Sequence, residues 1–157
     1  MKIPSLLLPL LPIFALLSSS LTAAADGIQT QSSASGDLEV DVTKAVVRDG
    51  ILTIQITIRN KGADEAKILY DVRGNYYLDQ KEKKKYHVLA DSAGNSLAYP
   101  IYDAWNISSA AGGYPVKIPT GGKTIMWFKF PAPPAATTKI DLFIHDILPF
   151  EDLPISQ

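Results

Sequence analysis

The clearest hydrophobic pattern in the chain lies over residues 50–60, where apolar and polar residues alternate. Leu52, Ile54, Ile56 and Ile58 are separated by single polar residues. Successive side chains of a β-strand point to opposite faces, so this period of two predicts a strand with one buried and one solvated face. β-branched residues suit such a pleated surface. We therefore predict a central strand on which the other strands pack.

The same period recurs in shorter segments on both sides of this strand. The Asp49-Gly50 pair predicts a hairpin that joins residues 37–47 to the central strand, because glycine tolerates a positive φ. Further extended segments are predicted at residues 66–72, 76–78, 86–90, 96–99, 123–130, 139–145 and 150–155. No helical period appears in this part of the chain, and turns recur at the spacing of a β-sandwich. The pattern therefore predicts an all-β fold of two packed antiparallel sheets.

Residues 1–25 have the pattern of an export signal. Lys2 precedes an apolar run over residues 3–17, and Ala23 and Ala25 satisfy the small-x-small rule for cleavage before Asp26. The alternative is an uncleaved anchor helix, but the run is shorter than the ~20 residues that a bilayer requires and contains three prolines. We expect a periplasmic or secreted protein with no membrane span after signal removal.

Composition narrows the remaining possibilities. Residues 26–36 are small and polar and predict a flexible leader, which leaves residues 37–157 as one domain. The chain has no cysteine, which excludes disulfides, thiolate metal sites and a cysteine nucleophile. Its net charge of -1 gives no bulk attraction to nucleic acid.

Several segments resemble a family of exported bacterial immunoglobulin-like domains of unknown function, which includes a secreted mycobacterial antigen. These segments are spread along most of the mature chain and lie at residues 46–60, 76–79, 85–95, 128–134 and 148–155. Each is a fold pattern and not a catalytic signature. The resemblance implies an immunoglobulin-like β-sandwich of about eight strands with an extracytoplasmic interaction role. It supplies no functional residues.

The residues that could carry catalysis form no recognisable motif. His87 lies in a predicted strand, His145 lies at the end of another, and no G-x-S-x-G elbow is present. The carboxylates that could act in pairs are Asp141, Asp146, Glu151 and Asp152. Residues 91–95 offer oxygen ligands for calcium but also read as a plain turn. We expect a protein that is not an enzyme and has no cofactor or metal site; an envelope enzyme is the third alternative.

The strongest functional signal is aromatic. Residues 100–122 form the longest irregular stretch, and long loops of this kind are often functional. Tyr99, Tyr102, Trp105 and Tyr114 lie in or beside it and are the candidate binding residues. They either contact a partner or pack on each other to order the loop. We expect a module that binds a protein partner, with a glycan-binding module as the alternative.

Overall fold

The computed structural model describes residues 27–68, 72–99 and 116–157. In these ranges the chain forms eleven strands and one short 3-10 helix. The strands are β1 (Gln29–Ser32), β2 (Leu38–Arg48), β3 (Ile51–Asn60), β4 (Ala66–Ile68), β5 (Tyr76–Asp79), β6 (Lys84–His87), β7 (Ala98–Tyr99), β8 (Val116–Ile118), β9 (Lys123–Pro131), β10 (Lys139–Phe143) and β11 (Phe150–Pro154). The 3-10 helix spans Val72–Gly74.

The strands form three antiparallel sheets. The first has the order β1-β2-β3-β9-β7, the second β11-β10-β5-β6, and β4 pairs with β8 in a small third sheet. In immunoglobulin domains strands A, B, E and D form one sheet and strands G, F and C the other. Strands β2, β3, β9 and β7 match the first set, and β11, β10 and β5 match the second, with β6 added beside β5.

The predicted central strand is confirmed as β3. It pairs with β2 on one side and β9 on the other along almost its whole length. Its alternation places Leu52, Ile54, Ile56 and Ile58 in the core, each fully buried. Because residues directly opposite each other in an antiparallel pair share a face, Ile54 meets Phe128 and Ile56 meets Met126 on the buried side.

The core between the two main sheets is rich in aromatic rings. Tyr77 of β5 is fully buried and stacks on Tyr86 with 4.6 Å between ring centroids. Its ring also meets Phe130 of β9 edge-on at 5.5 Å. The all-β sandwich prediction is therefore confirmed. About eight strands were expected, and the described residues form eleven; β1 and β8 lie where the sequence predicted a leader and an irregular stretch.

The prediction of a flexible leader over residues 26–36 is wrong for the described part of that segment. Gln29–Ser32 forms β1 and pairs with β2 at the edge of the five-stranded sheet. The Ile28 N–H donates to the Val42 carbonyl at 2.6 Å, and the Leu148 N–H donates to the Ser32 carbonyl at 3.0 Å. Hydrogen bonds, not apolar packing, hold this polar strand in place. The predicted signal peptide lies outside the described residues.

Two further segments differ from the expectation. The strand predicted over residues 66–72 is present as β4 over Ala66–Ile68, but its predicted last residue, Val72, begins the 3-10 helix instead. The strand predicted over residues 96–99 is reduced to the two residues of β7. Among the described elements, no helix has the length and apolar character needed to cross a bilayer.

Candidate functional site: an aromatic patch on the five-stranded sheet

The side chains of β9 alternate between the core and the outer face of the five-stranded sheet. Met126, Phe128 and Phe130 are buried. Ile125 and Trp127 therefore point away from the core, since neighbouring residues of a strand face opposite ways. Trp127 is half-buried on this outer face, and Ile125 is 48% exposed.

Tyr99 completes a small exposed surface next to these two residues. In the pairing of β7 with β9, Tyr99 lies directly opposite Trp127, and Ala98 lies opposite the buried Phe128. The Tyr99 and Trp127 rings are nearly parallel, with an interplanar angle of 17° and centroids 6.5 Å apart. Tyr99 is 60% exposed. We call Tyr99, Ile125 and Trp127 the aromatic patch.

The aromatic patch holds two of the four exposed large hydrophobic side chains in the described ranges. These two are Tyr99 and Ile125, and the others are Ile28 and Leu148. Ile28 precedes β1. Leu148 lies at the other end of β1, where the Leu148 N–H donates to the Ser32 carbonyl. Single exposed apolar residues need no explanation, but neighbouring ones on one face make a candidate contact surface.

The four sequence-predicted binding residues have different outcomes. Tyr99 lies in the aromatic patch. Tyr102, Trp105 and Tyr114 lie outside the described residues. Sequence reasoning missed Ile125 and Trp127 as candidates, although the alternation of β9 placed both on the face opposite Met126 and Phe128. That pattern could not distinguish a solvated apolar face from a second buried one.

A polar border lies beside the aromatic patch on β3. Gln55 is opposite Trp127, Thr57 is opposite Ile125, and Thr53 is opposite Lys129. The Lys129 ammonium lies 5.8 Å from the Trp127 ring centroid, within the range of a cation–π contact. An apolar centre bordered by polar groups is the usual anatomy of a protein interface.

The two histidines occupy separate surface positions. His87 is exposed in β6, opposite Tyr76, with 6.0 Å between the two rings. His145 follows β10, and its Nε2 lies 3.5 Å from Asp146 Oδ2. The backbone N–H of His145 donates to Asn75 Oδ1 at 2.9 Å, which fixes the chain after β10. His87 therefore lies in a strand and His145 just past the end of another, as the sequence predicted.

Among the carboxylates considered for paired catalysis, Asp146 lies beside His145 and Asp152 beside Lys139, while Asp141 bonds the backbone. Asp141 Oδ1 accepts the N–H of Asp152 at 2.9 Å, and its other oxygen accepts from the Gln80 amide. In the parts of the chain that the structure describes, no group of three or more His, Asp and Glu side chains is placed to hold a metal ion.

Residues 91–95 form a turn closed by the Asp91 carboxylate. Asp91 Oδ1 accepts the N–H groups of Ala93 and Asn95 at 2.9 and 2.8 Å. Asp91 Oδ2 accepts from Asn95 Nδ2 at 2.9 Å. The side chain and backbone of Asn95 are the main reason that the pKa of Asp91 lies below its usual value. Both carboxylate oxygens of Asp91 therefore already have donors, which agrees with the interpretation of residues 91–95 as a plain turn.

A cavity of about 300 Å³ lies at the end of β1. Its lining includes Ser33, Ser35, Lys67 and Asp146. Ser33 Oγ accepts the Leu38 N–H at 3.0 Å and lies 3.0 Å from Ser35 Oγ, so both hydroxyls already take part in the local hydrogen bonding. We assign no chemistry to this cavity.

Comparison of the chain with protein-family models, curated proteins and solved structures found no match. The resemblance to exported immunoglobulin-like domains stays a prediction from the sequence.

Proposed function

We propose that this chain is an exported, non-catalytic immunoglobulin-like module that binds another protein in the cell envelope or outside the cell. The observation that carries the proposal is the aromatic patch, where Tyr99 and Ile125 are exposed beside Trp127 on one sheet face. Export rests on the predicted signal peptide over residues 1–25.

The chemistry of the aromatic patch suits a protein partner. Trp and Tyr are enriched among the residues that contribute most to binding, because their large rigid surfaces lose little conformational entropy. Ile125 extends the apolar area beyond the rings. Because these side chains project from a paired strand, the scaffold holds them in place before a partner arrives, which lowers the entropic cost of association.

The position beside β7 also favours contact. β7 is the edge strand of its sheet and has only two residues. An edge strand leaves backbone N–H and C=O groups for another chain to pair with, although a short edge limits that pairing. The edge of the second sheet, β6, instead carries Lys84 and Lys85, and lysine on an edge opposes strand addition.

Site-specific photo-crosslinking tests the proposal. p-Benzoylphenylalanine in place of Ile125 probes the aromatic patch, and the same residue in place of Glu151 probes β11 of the other sheet. Both positions are exposed in the described structure. We expect one envelope or extracellular protein to crosslink from position 125 and not from position 151. Equal crosslinking from both positions, or none from position 125, would contradict the proposal.

The second candidate is a glycan-binding module, favoured by the nearly parallel Tyr99 and Trp127 rings. Flat exposed rings can stack on the faces of sugars. A polysaccharide array with the wild-type chain and with Trp127→Ala tests this candidate. Binding that the substitution abolishes would support it, and an array without signal would remove it.

A further inference from the structure

Charged side chains on the outer face of the five-stranded sheet are predominantly basic. The strand register and the alternation of burial place seven charged residues of β2, β3 and β9 on this face. They are Glu39, Asp41, Lys44, Arg48, Arg59, Lys123 and Lys129. Cations therefore outnumber anions by five to two, although the whole chain has a net charge of -1.

Both anions on this face pair with the same cation, Arg59. The Arg59 guanidinium contacts Glu39 Oε1 at 3.0 Å and also binds Asp41. Glu39 lies in addition 3.5 Å from the Lys61 ammonium. Partial burial alone would lower the pKa of Arg59, but its hydrogen bonds and charge contacts with Glu39 and Asp41 raise the pKa overall. The Arg59 charge is therefore already paired within the protein.

The remaining four cations have no carboxylate partner among the described residues. Lys44, Arg48, Lys123 and Lys129 take part in no described ion pair, and Lys129 contacts the Trp127 ring. Lys44 lies opposite Gln55, which itself lies opposite Trp127. Since neighbouring strands are about 4.8 Å apart, Lys44 is about 10 Å from Trp127 across the sheet. Basic groups therefore border the aromatic patch.

The outer face of the second sheet offers a contrast. Lys139 lies 3.8 Å from Asp152, and Lys85 sits over the Tyr76 ring at 3.5 Å. Asp141 and Glu151 add negative charge there. On that face two cations therefore accompany three carboxylates, so the uncompensated basic surface is a property of the five-stranded sheet.

We propose that the partner of this face is an acidic segment of a protein, with Asp or Glu side chains around an apolar anchor. The anchor contacts the aromatic patch, and the carboxylates contact Lys44 and Lys129. Charge complementarity of this kind selects partners and speeds association. The aliphatic Ile125 favours a protein over an acidic glycan, because it adds apolar surface that sugar hydroxyls cannot use. This inference rests on the proposed function and specifies the partner's chemistry.

A charge-reversal experiment tests the inference. The probe is a short peptide of alternating Glu and Gly around one Phe, with Gln and Lys versions as controls, and NMR chemical shifts report binding. One variant combines Lys44→Glu and Lys129→Glu. The matched control combines Lys81→Glu and Lys83→Glu, which give the same change in net charge but lie in the β5–β6 turn of the other sheet.

We expect the Glu peptide to shift resonances of β2, β3 and β9, and the Lys44→Glu/Lys129→Glu variant to weaken binding about tenfold or more. The control variant should weaken binding by less than about threefold, since distant surface charges are screened. The Lys peptide should bind the face variant better than the wild-type chain. Three outcomes would overturn the inference. Both variants could weaken binding equally, or the Gln peptide could bind the wild-type chain as well as the Glu peptide does. The third is binding of polygalacturonate without binding of the Glu peptide.

Crosslinking separates this inference from the proposed function. If the Lys44→Glu/Lys129→Glu variant still crosslinks its partner from position 125 at the wild-type yield, the module binds a protein but the acidic partner is wrong. If the wild-type chain crosslinks nothing from position 125, the proposed function itself fails.

Discussion

The Tyr77 hydroxyl donates a 2.8 Å hydrogen bond to the carbonyl oxygen of Pro131. Tyr77 belongs to β5 of one main sheet, and Pro131 ends β9 of the other, so the bond joins the two layers. In antibody domains a buried Trp on strand C packs against a disulfide between the sheets. This chain has no cysteine, and Tyr77 on the corresponding strand provides a cross-sheet contact by hydrogen bonding and ring packing.

Tyr77→Phe should destabilise the domain without changing its fold. The substitution keeps the ring and removes one donor to a carbonyl inside the sandwich, which costs about 1–2 kcal/mol. Urea denaturation of both proteins at pH 7 measures the difference in the free energy of unfolding. Tyr76→Phe, on the outer side of the same strand, is the matched control and should lower the free energy of unfolding by less. A Tyr77→Phe protein as stable as the wild type would show that the bond contributes nothing net.

Tyr77 also leads us to expect that the stability of the domain depends on pH in alkaline solution. Burial is the main reason that the pKa of Tyr77 is raised above its ordinary value of 10.0, with the charges of Tyr86 and Asp79 adding to it. The folded state therefore holds this proton more tightly than the unfolded chain does. The stability that this tighter proton binding contributes is fully present below pH 10 and is lost as pH rises toward the folded pKa. The stability difference between wild type and Tyr77→Phe should accordingly shrink above pH 10, and a constant difference would contradict this.

The strands with an apolar face could be predicted from the sequence, and β1 could not. β3 and β9 bury every second residue, so their period of two reflects the core directly. Gln29–Ser32 contains no apolar residue and is held by hydrogen bonds to a neighbouring strand. Composition gives no information about such bonds, because the same polar residues also suit a linker.

The candidate site was predictable only in part, for a related reason. Tyr99 stood out because it precedes a long irregular stretch. Trp127 and Ile125 lie in a strand that has apolar residues on both faces, and periodicity cannot show which face meets solvent. Tyr76 and Tyr77 illustrate the same limit, since these neighbours lie on opposite sides of β5 and only Tyr77 is in the core.

Thr137→Val should destabilise the domain through Asp79. Burial by itself would raise the pKa of Asp79, but the Thr137 hydroxyl at 2.6 Å and the N–H groups of Lys81 and Glu82 outweigh it, so the pKa is lowered. Loss of the hydroxyl should lower the free energy of unfolding by roughly 1–3 kcal/mol at pH 7, because its hydrogen bond to the Asp79 carboxylate is charge-assisted. Thr137→Ser keeps the hydroxyl and is the control.

The acid dependence follows from the direction of that shift. A lowered folded pKa gives stability that is present above the ordinary value of 3.8 and is lost as pH falls through the folded pKa. The stability gap between wild type and Thr137→Val should therefore narrow below pH 3.8. Urea denaturation at pH 7 and at decreasing acid pH measures it, and a gap that widens in acid would refute the role given to Asp79.

Removal of β1 should destabilise the domain, whereas removal of a flexible leader would not. A chain that begins at Asp37 lacks the pairing with β2 and the Thr30 hydroxyl, which donates to Asp41 Oδ1 at 2.6 Å. Asp41 is fully buried, so losing a donor there alone should cost about 1–3 kcal/mol. Comparison of chains that begin at Asp26 and at Asp37 by thermal unfolding measures the effect. Equal melting temperatures would restore the leader interpretation.

Trp127→Ala should weaken partner binding strongly while leaving the fold intact. Trp127 is half-buried on the outer face and not in the core, so the loss of stability should be about 1 kcal/mol, the typical cost of a single substitution. A binding residue of this type contributes at least about 2 kcal/mol, which lowers affinity about thirtyfold. Crosslinking yield from position 125 and thermal unfolding report the two quantities separately.

Tyr76→Ala is the matched aromatic control for that substitution. Tyr76 lies on the outer face of the other sheet and stacks on Phe143 at 4.7 Å, so its removal also takes a ring from a sheet surface. It should leave crosslinking from position 125 unchanged. If Tyr76→Ala and Trp127→Ala reduced the yield equally, the loss would come from general loosening of the sandwich, and the aromatic patch would not be the binding surface.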